Sequence, residues 1–341
     1  MNHPSLFNQT VQLALSDAVL VLNSASDPFV IHAAQSTSGG KLLLAEDNIA
    51  ALQMAQQAFE QARIPLTASI RHIPFHEYTV HEPPATMNVA VMNLLYQPSN
   101  AWMHYGLQVA AYALKPGGRL YVQGAKTRGI LTIAKRMEAL FGNVETLEIH
   151  KGERVVCSRV GERPVALDGE PLQTLQPFAE GKLDEGTRLL LETLEVRATD
   201  VALDIGCGAG YLGMHIALRA TKGQVTMVDA SLAAVDLTRR KVEESGLENV
   251  QVLASNGVQA MASQRFDLVV TNPPFHMGGV QTLEIGEQFI RGAAQVLRPR
   301  GRFYLVANRF LKYEPTMRSC FKTMEEVARN TSFKVLRGTM V

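Results

Sequence analysis

Short apolar runs alternate with longer stretches of helical period along most of this chain. Ala18-Val-Leu-Val-Leu22 is too short for a helix and apolar throughout, the pattern of a strand covered on both faces. Gly39-Gly40 leads into Lys41-Leu-Leu-Leu-Ala-Glu46, a second strand. Residues 48–62 carry Ile49, Leu52, Met54, Ala55 and Phe59, which predicts a helix. Val89-Ala-Val-Met-Asn93 is a third strand. Residues 101–114 form a helix stopped by Lys115-Pro-Gly-Gly118, and Arg119-Leu-Tyr-Val122 is a fourth strand. A strand between Gly152 and Val160 closes the first half. Strands alternating with helices predict an α/β fold with a mostly parallel, doubly wound sheet.

The same order returns after position 200. Lys41–Glu46 aligns with Gln224–Asp229, Ile49-Ala-Ala-Leu52 with Leu232-Ala-Ala-Val235, and Leu114–Val122 with Leu297–Leu305, all 183 residues apart. Asn93-Leu-Leu-Tyr96 aligns with Asn272-Pro-Pro-Phe275 with a slip of four. We read this as an internal duplication into two tandem Rossmann-like domains, 1–160 and 177–341. Residues 161–176, with Gly161, Pro164, Gly169 and Pro171, form the expected linker. Residues 177–195 start as a loop and become a helix.

Composition narrows the setting more than the chemistry. The length of 341 residues favours two domains, and 46% hydrophobic residues are ample for two cores. A formal charge of +1 names no partner. Cys157, Cys207 and Cys320 are odd in number and lack CxxC spacing, which argues against a disulfide scaffold or a zinc site. No metal is expected. The N-terminus lacks a signal-peptide pattern and no apolar run approaches the roughly 20 residues that span a bilayer. A cytoplasmic protein with no membrane partner is expected.

The stretch Asp204-Ile-Gly206-Cys-Gly208-Ala-Gly210 carries the first chemistry. It follows the apolar run Val201-Ala-Leu203, precedes a helical pattern from Tyr211 to Ala220, and leads to a second buried strand ending at Asp229. Strand, glycine-rich turn, helix, strand and acid describe half of a nucleotide-cofactor site. Tyr211 stands where nicotinamide enzymes need a third glycine, and an acid at the turn would repel a pyrophosphate. S-adenosylmethionine, with an ammonium, a sulfonium and no phosphate, fits better. Asp229 is placed to accept the ribose hydroxyls, with Ala230 beside it. Asn256-Gly257, at the end of the next strand, is placed to bond the adenine edge. The 183-residue shift puts Val21, Asn23, Ala25 and Asp27 opposite Asp204, Gly206, Gly208 and Gly210. Without those glycines the first turn is not expected to admit a cofactor closely. The first domain therefore reads as degenerate.

Asn272-Pro273-Pro274-Phe275 follows the apolar strand Phe266–Thr271. In a doubly wound sheet that strand flanks the switch point, so the tetrapeptide sits beside the cofactor turn. An exocyclic amine on a conjugated ring is a poor nucleophile because its lone pair is delocalised. The Asn272 side-chain oxygen and the Pro273 carbonyl can accept its two protons and turn the lone pair towards a methyl group. Prolines hold the backbone, and Phe275 offers a face for a flipped-out base.

Asp204 to Gly210 with Asp229 resembles the class I S-adenosylmethionine-dependent methyltransferases. Asn272-Pro-Pro-Phe275 resembles their amino-methylating branch. A degenerate copy before an active one, with Phe275-His276 and Leu203 to Gly208, is similar to the ribosomal RNA guanine-N2 methyltransferases of the RsmC/RlmG type. The resemblance spans the chain, strongly over 170–341 and loosely before. It implies methylation of a ribosomal RNA guanine, tilted towards the small subunit, with S-adenosylhomocysteine as the other product. A monomer is expected. His276 in the target pocket and Phe178 against the cofactor are further suggestions of that resemblance. Two acid-free basic runs fall at the same place in each half and suit RNA phosphates. They hold Lys115, Arg119, Lys126, Arg128, Lys135 and Arg136 in 83–137, and Arg291, Arg298, Arg300, Arg302, Arg309 and Lys312 in 288–313. The alternatives are an amino-methyltransferase acting on protein glutamine or DNA adenine, and a non-catalytic RNA-binding assembly factor.

Overall fold

A computed structural model describes residues 5–162, 183–274, 276–277, 280–281 and 283–341. The linker expected at 161–176, and Phe178, lie wholly or mostly outside these residues. The chain divides into two compact units, Met1–Leu175 and Gln176–Val341.

The first unit holds strands β1 (Ala18–Leu22), β2 (Lys41–Glu46), β3 (Ile70–Pro74), β4 (Met87–Asn93), β5 (Leu114–Ala125), β6 (Glu145–His150) and β7 (Glu153–Arg159). They form one sheet in the order β3-β2-β1-β4-β5-β7-β6, with parallel pairing except at β7 and β6. The second unit holds β8 (Val201–Ile205), β9 (Gln224–Asp229), β10 (Val250–Ala254), β11 (Phe266–Thr271), a small hairpin of β12 (His276–Met277) and β13 (Val280–Gln281), then β14 (Leu297–Asn308), β15 (Thr323–Arg329) and β16 (Phe333–Thr339). Its main sheet runs β10-β9-β8-β11-β14-β16-β15, the same order. The architecture is two tandem doubly wound α/β sheets.

Alternation along the strands divides the core of the second unit. Ala202, Leu268, Val270 and Tyr304 pack with Leu190, Ile216 and Val235 from helices on one face. Leu203, Val269, Phe303 and Leu305 pack with Ile290, Ala293 and Met317 on the other. Covering both faces is why the central strands are apolar at nearly every position.

The register of the two sheets repeats in detail. Val21 pairs with Leu44 and Val91, and Asp204 with Met227 and Val270. This places Asn93, the last residue of β4, and Asn272, the first after β11, at equivalent register positions. A feature unrelated to any cofactor repeats too. Asp17 Oδ2 accepts from the Ala14 amide at 2.9 Å and meets Arg119 at 3.4 Å. Asp200 Oδ2 accepts from the Arg197 amide at 2.7 Å and from Arg302 at 2.5 Å. A Cβ at Gly40 would overlap the Asp17 carbonyl, and one at Gly223 the Asp200 carbonyl. Arg302 is the more buried cation of the two, with its side chain 6% exposed against 17% for Arg119. Asp200→Ala strands that charge, so it should cost about 3–5 kcal/mol. Asp17→Ala should cost clearly less. Denaturant unfolding of each variant checks the order, and equal losses would contradict it.

Several strands escape the sequence pattern, among them Thr323–Arg329 and Phe333–Thr339. Two more, Ile70–Pro74 and Glu145–His150, lie at sheet edges, and most of their side chains are exposed or half-buried. Edge strands need no continuous apolar run. The stretch 115–118, read as a turn that ends the helix, is the beginning of β5.

Candidate functional site

The glycine turn leaves β8 with its backbone in the left-handed region. Gly206, Gly208 and Gly210 have φ of 71°, 54° and 80°, values that cost a side chain energy and glycine none. The Gly206 and Cys207 amides both donate to the Val228 carbonyl, at 2.8 and 3.0 Å, fastening the turn to β9. Thr238 Oγ1 donates to the Gly208 carbonyl at 2.7 Å. A Cβ at Gly210 would come within 2.8 Å of the Thr238 methyl. Neighbour and backbone conformation together require glycine there.

Two acids flank this turn in different ways. Asp229 closes β9, and its Oδ2 accepts the Gly208 amide at 2.9 Å while Oδ1 accepts the Ser231 amide at 2.9 Å. The Ala230 amide bonds the same carboxylate. Burial raises the Asp229 pKa, and these amides oppose the rise. Three amides on two oxygens leave one lone pair for a further donor. Asp204 is not at the end of its strand, as the sequence suggested, but one residue inside it, because β8 continues through Ile205. It is fully buried. Its Oδ2 accepts the Gly213 amide at 2.9 Å, and its Oδ1 has no hydrogen-bond partner among the described residues. Burial pushes its pKa up to about 7, with the Asp229 charge adding to the rise.

The third segment follows β10. The Ser255 amide donates to the Asp229 carbonyl at 2.9 Å, and Gly257 adopts φ 55°. Asn256 thus lies one residue from a contact to Asp229. Phe289, which sequence reasoning missed, lies behind both turns. Its ring is 3.3 Å from a Cβ built on Gly206 and 3.8 Å from one built on Gly257. Its place in the helix Glu284–Val296 gave no signal, because the contact depends on tertiary packing.

Asn272 follows β11 beside the end of β8. Thr271 Oγ1 donates to the Ile205 carbonyl at 2.8 Å and holds the two ends together. The Asn272 Nδ2 donates to Thr187 Oγ1 at 2.8 Å and lies 3.3 and 3.4 Å from the Asp184 carboxylate oxygens. Both partners belong to the start of the helix Glu185–Thr193, where Asp184 is the N-cap. Asn272 Oδ1 is buried without a hydrogen-bond partner among the described residues. Pro273 is buried and Pro274 exposed. Phe275 lies outside the described residues, and only backbone pairing is described for His276.

The first unit keeps the frame and fills it. Asn23 sits at φ 45°, and its amide donates to the Ala45 carbonyl at 2.7 Å. Glu46 takes the Ala25 and Asn48 amides at 2.8 and 2.9 Å, as Asp229 does with Gly208 and Ser231. The contacts at the strand ends therefore survive without the glycines, while Ala25 and Asp27 do not take the positive φ of Gly208 and Gly210. Side chains occupy the space instead. Gln97 Nε2 donates to the Asn23 and Asn93 carbonyls at 3.0 and 3.1 Å, and Asn93 Nδ2 donates to Asp27 Oδ2 at 2.7 Å. Val21 supplies no counterpart to the Asp204 carboxylate.

The basic runs are partly committed. Arg291, Arg298 and Arg302 pair with Glu287, Asp267 and Asp200, and Arg119 with Asp17. Arg309 and Lys312, just past the carboxyl end of β14, have no acidic partner among the described residues. No described helix is long and apolar enough to cross a membrane.

Comparison with known proteins places this site in context. Residues 173–337 match the family model of the methyltransferase small domain. The ribosomal RNA small subunit methyltransferase C of Pseudomonas entomophila is 33% identical over 273 residues, 74% of this chain and 81% of that relative. The protein of the same name from Escherichia coli is 33% identical over 238 residues, 67% of this chain and 68% of that relative. Among solved structures, the T. thermophilus 16S rRNA N2 G1207 methyltransferase (RsmC), in complex with AdoMet and guanosine, superposes with a TM-score of 0.81 at 27% identity. That match covers 98% of this chain and 91% of the other.

Proposed function

This chain belongs to the ribosomal RNA small subunit methyltransferase C family, and we propose that Asn272, Pro273, Asp204 and Asp229 carry its reaction. It is an S-adenosylmethionine-dependent methyltransferase that acts on the exocyclic N2 of a guanine in 16S ribosomal RNA. The target is the guanine equivalent to G1207 of the T. thermophilus relative's substrate. The partner is ribosomal RNA within a small subunit or its precursor, in the cytoplasm. Every residue named in the site comes from one unit of one chain, which supports action as a monomer.

The donor set fits the cofactor. Acids with spare lone pairs suit a cationic amine and a ribose diol, and the same acids would repel a phosphate. Asp204 Oδ1 accepts from the amino group, Asp229 from the ribose hydroxyls, and Asn256 and Gly257 from the adenine edge. Gly206, Gly208 and Gly210 let the backbone approach, and Ala230 lies beside the ribose. S-adenosylmethionine, when bound, supplies a methyl group on a sulfonium sulfur and leaves as S-adenosylhomocysteine.

The observation that carries the reading is the buried, unpartnered Oδ1 of Asn272. A buried acceptor without a donor costs about 1–3 kcal/mol, and an amine in the site would relieve it. Asn272 Oδ1 and the Pro273 carbonyl accept the two N2 protons. The nitrogen becomes pyramidal, and its lone pair withdraws from the ring π system and faces the methyl carbon. The nitrogen turns acidic as it gains the methyl group, so one proton passes to water and no dedicated base is needed. Positioning away from water carries most of the rate. Phe275, at the end of the same tetrapeptide, is the residue we assign to stacking on the base. Arg309 and Lys312 contact phosphates near the flipped nucleotide, while the filled first unit serves RNA binding rather than chemistry.

Tritiated S-adenosylmethionine offered with small subunits, large subunits, naked 16S RNA and protein tests this. Label should enter 16S RNA as N2-methylguanosine. Label in protein or in large-subunit RNA alone, or in nothing, would overturn the reading.

A further inference from the structure

The two units hold an asparagine at the equivalent register position at the end of the equivalent strand, and only one of them leaves its oxygen open. In the first unit Asn93 Oδ1 accepts the Leu95 amide at 2.9 Å, a local turn that consumes the acceptor. Asn93 Nδ2 is bound to Asp27 at 2.7 Å. Both ends of that amide are satisfied, so it has nothing to offer a substrate. In the second unit the residue two beyond the asparagine is Pro274, which has no N–H. The local turn cannot form its hydrogen bond, and Asn272 Oδ1 stays without a partner among the described residues.

The other end of the Asn272 amide is fixed by donor and acceptor chemistry. The Thr187 hydroxyl bonds Asp184 Oδ2, and the Thr187 amide donates to Asp184 Oδ1 at 2.9 Å. An ionised carboxylate can only accept, so the Thr187 proton points at Asp184. Thr187 Oγ1 must then accept from its remaining neighbour, which is Asn272 at 2.8 Å. Turning the amide over would set its oxygen against a hydroxyl lone pair and a carboxylate. The NH2 therefore faces the helix, and the carbonyl oxygen is the end left over. Donation towards a carboxylate also polarises the amide and strengthens its oxygen as an acceptor.

We propose that Asp184, Thr187 and Pro274 are positioning residues. Asp184 and Thr187 clamp the Asn272 amide in one orientation, and the missing N–H at position 274 keeps its oxygen free for the substrate amine. The proposal rests on the amine-acceptor role of Asn272. It assigns Pro274 a function beyond stiffness, namely the removal of a competing intramolecular donor. It also assigns the segment at Asp184 to the reacting end of the site rather than to helix capping alone.

The test uses the full chain, small subunits or naked 16S RNA that the wild type methylates, and four variants. Asp184→Asn keeps a good N-cap residue but can donate as well as accept, so it no longer dictates the amide's orientation. Pro274→Leu restores the N–H found in the first unit. Thr187→Ser keeps the hydroxyl and serves as the conservative control. Asn272→Ala reports on the underlying reading. Asp184→Asn should lower kcat about 10-fold and Pro274→Leu about 10- to 100-fold, the scale of a misaligned reacting group. The Kd for S-adenosylmethionine, by calorimetry, should stay within about twofold, as a transition-state effect requires. Thr187→Ser should keep kcat within about threefold. If Asn272→Ala is inactive while Asp184→Asn and Pro274→Leu keep wild-type kcat, the positioning proposal fails and the reading of Asn272 stands. If Asn272→Ala itself stays active, the reading fails first. Should Pro274→Leu not fold, Asp184→Asn alone decides, because its cap is preserved.

Discussion

Asn272→Ala should reduce kcat by about 10²–10³ or more, the scale seen when one oriented polar group at a reacting centre is removed. Affinity for S-adenosylmethionine should change little. The described Asn272 contacts run from Nδ2 to Thr187 and Asp184, and Oδ1 is the buried end without a partner. Deleting the amide removes one of two acceptors for the N2 protons, and nothing in the cofactor turn depends on it. Single-turnover transfer with small subunits, alongside calorimetry of cofactor binding, separates the two quantities. Loss of binding with unchanged single-turnover rate would move Asn272 to the cofactor side of the site.

Asp204→Asn should act in the opposite sense, on binding. A charge-assisted hydrogen bond to a cationic amine is worth about 1.5–3 kcal/mol, so affinity should fall about 10- to 100-fold. The pH dependence sharpens this. Burial holds the Asp204 pKa up at about 7 in the protein, above the ordinary carboxylate value. A folded-state pKa that is raised for an acid means the unfolded chain releases that proton first. The contribution of Asp204 to stability is therefore complete below about pH 4 and declines as pH rises to about 7. A cationic ligand favours the ionised form, so cofactor affinity should rise between about pH 5.5 and 7, with proton release on binding. In Asp204→Asn both effects vanish. The ligand-free variant should be more stable than wild type at about pH 8, and its residual affinity should be flat over that range. Glu46, pushed up to about 7 by burial in the first unit, titrates in both proteins and cancels in the comparison. A pH-independent wild-type affinity would count against a direct contact between Asp204 and the amine.

How much of this was legible in the sequence depended on whether a feature is local. The central strands announce themselves because both faces are covered, which forces an apolar residue at almost every position. The glycine turn is legible because three left-handed residues demand three glycines. Asn272 is legible because it directly follows a strand that the pattern fixes. The edge strands Ile70–Pro74 and Glu145–His150 are not, since exposure removes the constraint. Nor is the clamp: Thr187 and Asp184 reach Asn272 across 85 and 88 residues of chain. Asp184 and Thr187 read locally as an ordinary helix start. Phe289 belongs with them, a helix residue whose meaning lies in two glycines brought to it by the sheet.

The degenerate unit is the more instructive case. Its lost glycines predicted a turn that does not admit a cofactor closely. The backbone keeps its strand-end contacts, with Asn23 in the left-handed region and Glu46 holding the amides equivalent to those on Asp229, but Ala25 and Asp27 leave the left-handed region that Gly208 and Gly210 occupy. Occupancy changed as well: Gln97, Asp27 and Asn93 satisfy one another where the other unit leaves lone pairs open. Sequence reported the substitutions, and only their packing reveals that they close the site by filling it.

One asparagine oxygen in the second unit receives the guanine amine, and a crystal structure of this chain with S-adenosylhomocysteine and guanosine would show it. The expected result is the cofactor product on the 204–210 turn and guanine N2 within hydrogen-bond reach of Asn272 Oδ1, about 2.8–3.2 Å, with Nδ2 still on Thr187. Guanine N2 bonded elsewhere, or the cofactor product seated against Glu46 of the first unit, would contradict it.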